Sequence, residues 1–211
     1  MGKLKGLLLT EGLHGMISQV EGLAKALDLD YFHEKVELNS FWKLIPPKFT
    51  PVKKFVFKNN IKRDFDLIIS CGRKSVIPSI FLKKINSKKI KNIHVQDPKV
   101  NFKNFDYIIS PEHDDLKGDN ILSSKGAIHY LTSEEINEKK NYLLEKISKE
   151  KKIITLILGG PTKYYAYSNQ NLLNIFSKIS KQILNNNFQV IVIPSNRTPS
   201  RTIDLAKKFF T

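Results

Sequence analysis

Cysteine is nearly absent. Cys71 is the only one in 211 residues, so no intrachain disulfide can form and no thiolate cluster can hold a metal. That suits a reducing compartment. The five histidines, His14, His33, His94, His113 and His129, show no metal-ligand spacing, and neither a metal nor another cofactor is expected. Long apolar runs are missing too: nothing approaches the roughly 18 consecutive apolar residues of a membrane-spanning helix. The opening MGKLKGLLLTEGLHG has an apolar core too short for a secretory signal and reads as a first strand. Arginine is scarce: only Arg63, Arg73, Arg197 and Arg201 stand among 35 Lys and Arg. The net charge of +15 is therefore lysine charge, spread among isoleucines and asparagines over solvated faces. It forms no stripe and no nucleic-acid module, so nucleic acid is not an expected partner. Arg73, Arg197 and Arg201 fall just past expected strand ends, where a planar fork suits phosphate or carboxylate, although four arginines can also fall there by chance.

What is present is a globular chain, 41% hydrophobic, in which short apolar runs alternate with helical patterns. Leu4–Thr10, Asp66–Ser70, Lys91–Gln96, Asp106–Pro111, a run from Lys152 to Leu158, and Gln189–Ser195 read as strands. Met16–Leu27 puts Ile17, Val20, Leu23, Ala24 and Leu27 on one helical face, CGRKSVIPSIFLKK leads into a second helix, and Asn169–Leu184 reads as another. This alternation predicts an α/β fold with parallel sheets wound through βαβ units. A charged helix and polar link around Glu145–Lys151 divide the expectation into a domain at 1–150 and a second at 151–211. The second holds strand, helix, strand and a helix reaching Thr211. That is fewer strands than an open sheet needs, so it is expected to be the start of a domain the chain does not complete, and less stable than the first.

One stretch breaks the alternation. Between Leu38 and Arg63 there is no acidic residue, but there are Lys43, Lys48, Lys53, Lys54, Lys58, Lys62 and Arg63, interleaved with Phe41, Trp42, Phe49, Phe55 and Phe57. Such a mixture suits an anionic membrane surface. It equally suits aromatic anchors buried in the core with lysines outside. The expected location is cytoplasmic, and peripheral on the inner face of the cytoplasmic membrane if residues 38–63 meet lipid.

In parallel α/β sheets, ligands bind beyond the carboxyl ends of strands. The loops there are TEGLHG with Gly12 and Gly15, SCGRKS with Gly72 and Arg73, QDPK with Asp97, SPEHDD with Glu112 and His113, GGPTKYY, and SNRTPSR with Ser195 and Arg197. Neither G-x-G-x-x-G nor a P-loop is present. His113 between Glu112 and Asp114 suits a general acid or base, and equally a capping cluster; Asp97 is the third catalytic candidate. The adjacent Gly159 and Gly160 end an apolar run, which suits close backbone approach by a phosphorylated ligand. A Gly160→Val change is expected to block that approach at little cost to the fold.

Taken in order, TEGLHGMISQVEGLAKAL, CGRKSV, VQDPKVNFKNFDYIISPEHD, GGPTKYYAYS and SNRTPSR resemble the mitochondrial fission protein family of the plant elongated-mitochondria protein, which has many bacterial members. The resemblance covers nearly the whole chain. That family is similar to GT-B glycosyltransferases, two Rossmann-like domains facing across a cleft. The resemblance implies an acceptor side at Gly12, Gly15, Gly72 and Arg73. It implies nucleotide-sugar phosphate contacts at Gly159, Gly160, Thr162, Lys163, Ser195 and Arg197, with a nucleoside-diphosphate sugar as partner. Two functions follow: a GT-B-like glycosyltransferase of bacterial envelope metabolism, or a non-catalytic scaffold or regulator at a membrane.

Overall fold

The structure is a computed structural model that describes residues 2–61, 63–86 and 90–210, without the side chains of Leu184 and Asn185. Lys62 of the basic stretch and Thr211 at the end of the expected last helix lie outside the described residues. The chain folds as two compact units, Met1–Thr132 and Ser133–Thr211.

The first unit is built on six parallel strands: β1 (Lys5–Thr10), β2 (Asp30–Lys35), β3 (Leu67–Cys71), β4 (Lys91–Val95), β5 (Tyr107–Pro111) and β6 (Ile121–Ser124). Their order is β2-β1-β3-β4-β5-β6. β1 and β3 are central, so both of their faces must be apolar. Leu7, Leu9 and Ile68 pack to one side with Val76, Ile77 and Ile80 of helix α2 (Val76–Ile85) and with Val56 and Phe57. Leu8 and Ile69 pack to the other with Val20 and Ala24 of helix α1 (His14–Ala26). Each of these fully buried leucines and isoleucines contributes roughly 1.5–3 kcal/mol. Helices cover both faces of the parallel sheet, as in a Rossmann-like domain.

Two strands were invisible in the apolar pattern, and both are edges. β2 reads DYFHEK and pairs only with β1; β6 is four residues, ILSS, paired only with β5. An edge strand needs no apolar run, and a charged or short edge discourages pairing with other chains.

Gly22 shows why α1 lies so close to the chain beyond β6. A Cβ there would sit 2.5 Å from the His129 carbonyl carbon and oxygen. At the amino ends of the sheet, Asp106 accepts from Lys83 Nζ at 2.7 Å and from the Asn92 amide at 2.8 Å. Burial raises its pKa, but these hydrogen bonds and the lysine charges outweigh burial and hold the carboxyl below its ordinary value.

His94 of β4 is enclosed, with Nδ1 2.9 Å from Ser70 Oγ and its ring 5.1 Å from that of Phe105. Burial lowers its pKa to about 3, against a weaker opposing pull from Asp97. A depressed histidine contributes stability that is complete above the unfolded pKa of 6.5 and is lost as pH falls toward 3. Acidifying from about pH 7 to about pH 5 is therefore expected to remove about 2 kcal/mol through His94. Chemical denaturation at the two pH values checks this against His94→Gln. An equal loss in the variant would show that His94 is not the group responsible.

The second unit has strands β7 (Lys152–Leu158) and β8 (Phe188–Pro194), paired in parallel, with helices α3 (Ser133–Leu144), α4 (Asn169–Asn185) and α5 (Ser200–Phe210). Leu158, Leu172, Phe176 and Ala206 form its core with Leu156 and Val192 alongside. Ile153, Ile157 and Ile193 share the opposite sheet face and are exposed.

Candidate functional site

The strand order reverses between β1 and β3, and that crevice is where an open α/β sheet binds ligands. The loops there carry the only glycines with left-handed backbone among the described residues, Gly12 (φ 82) and Gly72 (φ 93). A Cβ on Gly72 would meet Met16 Sδ at 2.6 Å, so the turn is closed as well as left-handed. Thr10 Oγ1 accepts from the Gly12 amide at 3.0 Å and sits 2.7 Å from His33 Nε2. The His33 pKa is lowered by burial, against the charges of Glu21 and Glu34. Glu11 accepts from the Lys74 amide at 3.0 Å and from Lys74 Nζ at 2.8 Å, tying the first loop to the second. Burial raises the Glu11 pKa, but the Lys74 bonds and the charges of Lys74 and Arg73 more than offset it and keep the carboxyl below its usual value. Cys71, between these loops, is buried, and burial with the Glu11 charge pushes its thiol up to about 12. It is an inert core group. Arg73 donates through Nη2 to the Lys43 carbonyl. Gly15 lies within the first turn of α1, where a Cβ would meet nothing within 4 Å.

Beyond β4 and β5 lies a cavity of about 460 Å³ lined by Gln19, Gln96, Asp97, Lys99, Pro111, His113, Asp114 and Ala127. It brings Asp97 and His113 together and leaves Glu112 off its lining. The Asp97 carboxylate accepts from the Lys99 amide at 2.8 Å and pairs with Lys99 Nζ. Asp97 and Pro98 are bracketed by two non-glycine residues with left-handed backbone, Gln96 (φ 79) and Lys99 (φ 55). Such strain persists only where the surroundings over-determine it, and it clusters at functional sites. Gln96 is fixed by its amide bond to the Ile109 carbonyl and by Gln19, 3.3 Å from its side chain. Asp114 accepts from Ser110 Oγ at 3.0 Å and places Oδ1 3.7 Å from His113 Nε2, an electrostatic neighbour rather than a hydrogen bond. A larger cavity of about 660 Å³, lined by Val100–Lys103 and Gly118–Asn120, sits by the amino ends of β5 and β6, where this fold does not place chemistry.

In the second unit the two expected loops do meet. A Cβ on Gly160 would lie 2.1 Å from the Arg197 carbonyl oxygen, so the two backbones touch. The expectation that Gly160→Val spares the fold is therefore corrected: the glycine is required by packing against backbone that cannot rotate away. Ser195 donates its amide to the Leu158 carbonyl at 2.9 Å, and Thr198 Oγ1 donates to the same carbonyl at 2.6 Å. Thr198, which the sequence did not single out, is the latch between the ends of β7 and β8. Gly159 is open, with nothing within 4 Å of a Cβ, and its carbonyl accepts from Tyr167. The Thr162 hydroxyl accepts from the Tyr164 and Tyr165 amides, and Lys163 Nζ sits 5.7 Å from the Tyr164 ring centre. The loop does not run straight into a helix: α4 begins at Asn169, and Ser168 caps it by accepting from the Asn171 amide.

The sequence matches the family described as mitochondrial fission ELM1 over residues 14–211. The chain belongs to that family. The ELM1 match takes in the loops after β3, β4, β5, β7 and β8, and only Thr10, Glu11, Gly12 and Leu13 of the loops described above precede it. No curated protein matches the sequence. Among the described residues, no group of three or more His, Cys, Asp and Glu is placed to hold a metal, and no helix is long and apolar enough to cross a membrane.

Proposed function

We propose that this ELM1-family chain is a GT-B-like glycosyltransferase that takes its sugar from a nucleoside diphosphate. The observation that carries the reading is the cavity gathering Asp97, His113 and Asp114 beyond the carboxyl ends of β4 and β5. In this assignment the first unit binds a hydroxyl acceptor, and His113 accepts the hydroxyl proton as general base. Asp114 beside it stabilises the imidazolium that forms, and Asp97 orients the acceptor. The acceptor oxygen forms its bond to the anomeric carbon as the bond from that carbon to the diphosphate oxygen breaks. The nucleoside diphosphate leaves with the electron pair.

The test is a panel of nucleoside-diphosphate sugars with the full-length protein, following both equilibrium binding and release of nucleoside diphosphate. Saturable binding with slow hydrolysis of at least one donor is expected. Neither binding nor release across the panel would leave the non-catalytic scaffold as the better account of the fold.

A further inference from the structure

The segment between β2 and β3 has two faces. Its inner face is core: Leu38, Val56 and Phe57 are buried, and Trp42 and Val52 pack against them. Leu38 pairs with Phe57 in an isolated antiparallel bridge, the Asn39 amide donates to the Val56 carbonyl at 2.9 Å, and the Lys58 amide donates to the Glu37 carbonyl at 2.8 Å. Thr50 Oγ1 donates to the Pro46 carbonyl at 3.0 Å, and Arg73 holds the Lys43 carbonyl from the neighbouring loop. The segment is therefore pinned along its length. Its outer face nevertheless displays Phe41 (64% exposed), Leu44 (80%), Phe49 (71%) and Phe55 (58%). Apolar groups this exposed on a pinned loop are held out by the fold.

We propose that this face, Phe41, Leu44, Phe49 and Phe55 ringed by Lys43, Lys48 and Lys53, is a docking surface for an anionic lipid bilayer. Charge is the first argument. No acidic residue occurs from Leu38 to Arg63, and among the described residues no carboxylate pairs with a lysine of this segment. Lys54 is the exception in orientation, since its ammonium donates inward to the Phe57 and Asn59 carbonyls. The second argument is the kind of apolar group. Protruding phenyl rings and a leucine insert among acyl chains at head-group depth, while the flanking lysines reach lipid phosphates. A nucleic acid would be met by arginine forks at its phosphates, and Lys43, Lys48 and Lys53 present ammonium point charges instead. The surface does not depend on the glycosyltransferase assignment, because none of its residues lines the cavity beyond β4 and β5.

Trp42 is the sole tryptophan, with ring centres 4.9 Å from Phe41 and 5.8 Å from Phe55, so its emission reports directly on this face. The full chain is mixed with phosphatidylcholine vesicles, with and without phosphatidylglycerol, and binding is read by cosedimentation and Trp42 emission. Binding to the anionic vesicles, a blue shift and release by high salt are expected. Lys48→Glu with Lys53→Glu should lower partition by at least about 20-fold, from about fivefold per lysine. Leu44→Ser with Phe49→Ser should weaken binding comparably with the charge untouched. Both pairs are exposed, so unchanged far-UV circular dichroism establishes that the fold is intact. Equal partition onto neutral vesicles, no binding to anionic ones, or wild-type binding by both double variants would overturn the proposal. So would capture of RNA in preference to vesicles without a blue shift, which would assign the face to polyanions.

Discussion

A Gly160→Ala chain is expected to lose about 3 kcal/mol or more from its second unit, while Gly159→Ala loses less than about 0.5 kcal/mol. Adjacent glycines with the same local sequence make this a sharp pair. An alanine Cβ at 160 would lie 2.1 Å from the Arg197 carbonyl oxygen, 2.4 Å from its Cβ and 2.5 Å from its carbonyl carbon. The two carbonyl atoms are backbone, so no rotamer relieves the clash. The 195–198 turn cannot withdraw freely, because the Ser195 amide and the Thr198 hydroxyl both bond the Leu158 carbonyl. Moving it breaks those bonds, at about 1 kcal/mol each, on top of the overpacking itself. At Gly159 nothing lies within 4 Å of a Cβ, and the residue is not among those with left-handed backbone. Urea denaturation of the two variants decides it, and coincident midpoints would mean that the contact does not exist in solution. A folded Gly159→Val is consequently the variant for asking whether this loop approaches a diphosphate.

If a donor is found, His113→Ala is expected to slow transfer by about 10²–10⁴-fold, the usual contribution of a positioned general base. The change should leave stability within about 0.5 kcal/mol, because the side chain is 75% exposed and its removal leaves no cavity in the core. Glu112→Ala provides the control, since Glu112 does not line the cavity that holds Asp97 and His113. The expected pattern is a large fall in kcat for His113→Ala and a small change for Glu112→Ala. The reverse pattern would move the base to Glu112, and equal activity in both would remove this cavity from the chemistry.

How much was legible follows from which residues the environment constrains. The central strands β1 and β3 are enclosed on both faces, and that demand writes itself into LLL and LII as unbroken apolar runs. The edges β2 and β6 carry no such demand, so DYFHEK and ILSS did not announce themselves. The strand-end loops were found because glycine and proline punctuate them. Gln19 was not, because on α1 it looks like an ordinary polar residue, and only the sheet's geometry turns it toward Gln96. Thr198 was missed for the same reason, as a hydroxyl whose partner is a carbonyl forty residues earlier in the chain. The basic and aromatic stretch is core only in part: Phe57 is buried, while Phe41, Phe49 and Phe55 are exposed, and nothing in the residue types alone separates them.

The strand order has a further consequence, for synthesis. β1 is synthesised before both of the strands that flank it: Leu7 pairs with Phe32 and with Ile68. Parallel pairing cannot close through a short hairpin, and long-range pairing is slow. Until residue 71 has emerged, the Leu7–Leu9 run has at most the polar β2 beside it. A nascent chain stalled before that point is expected to bind holding chaperones through β1, and one released just after it to let go.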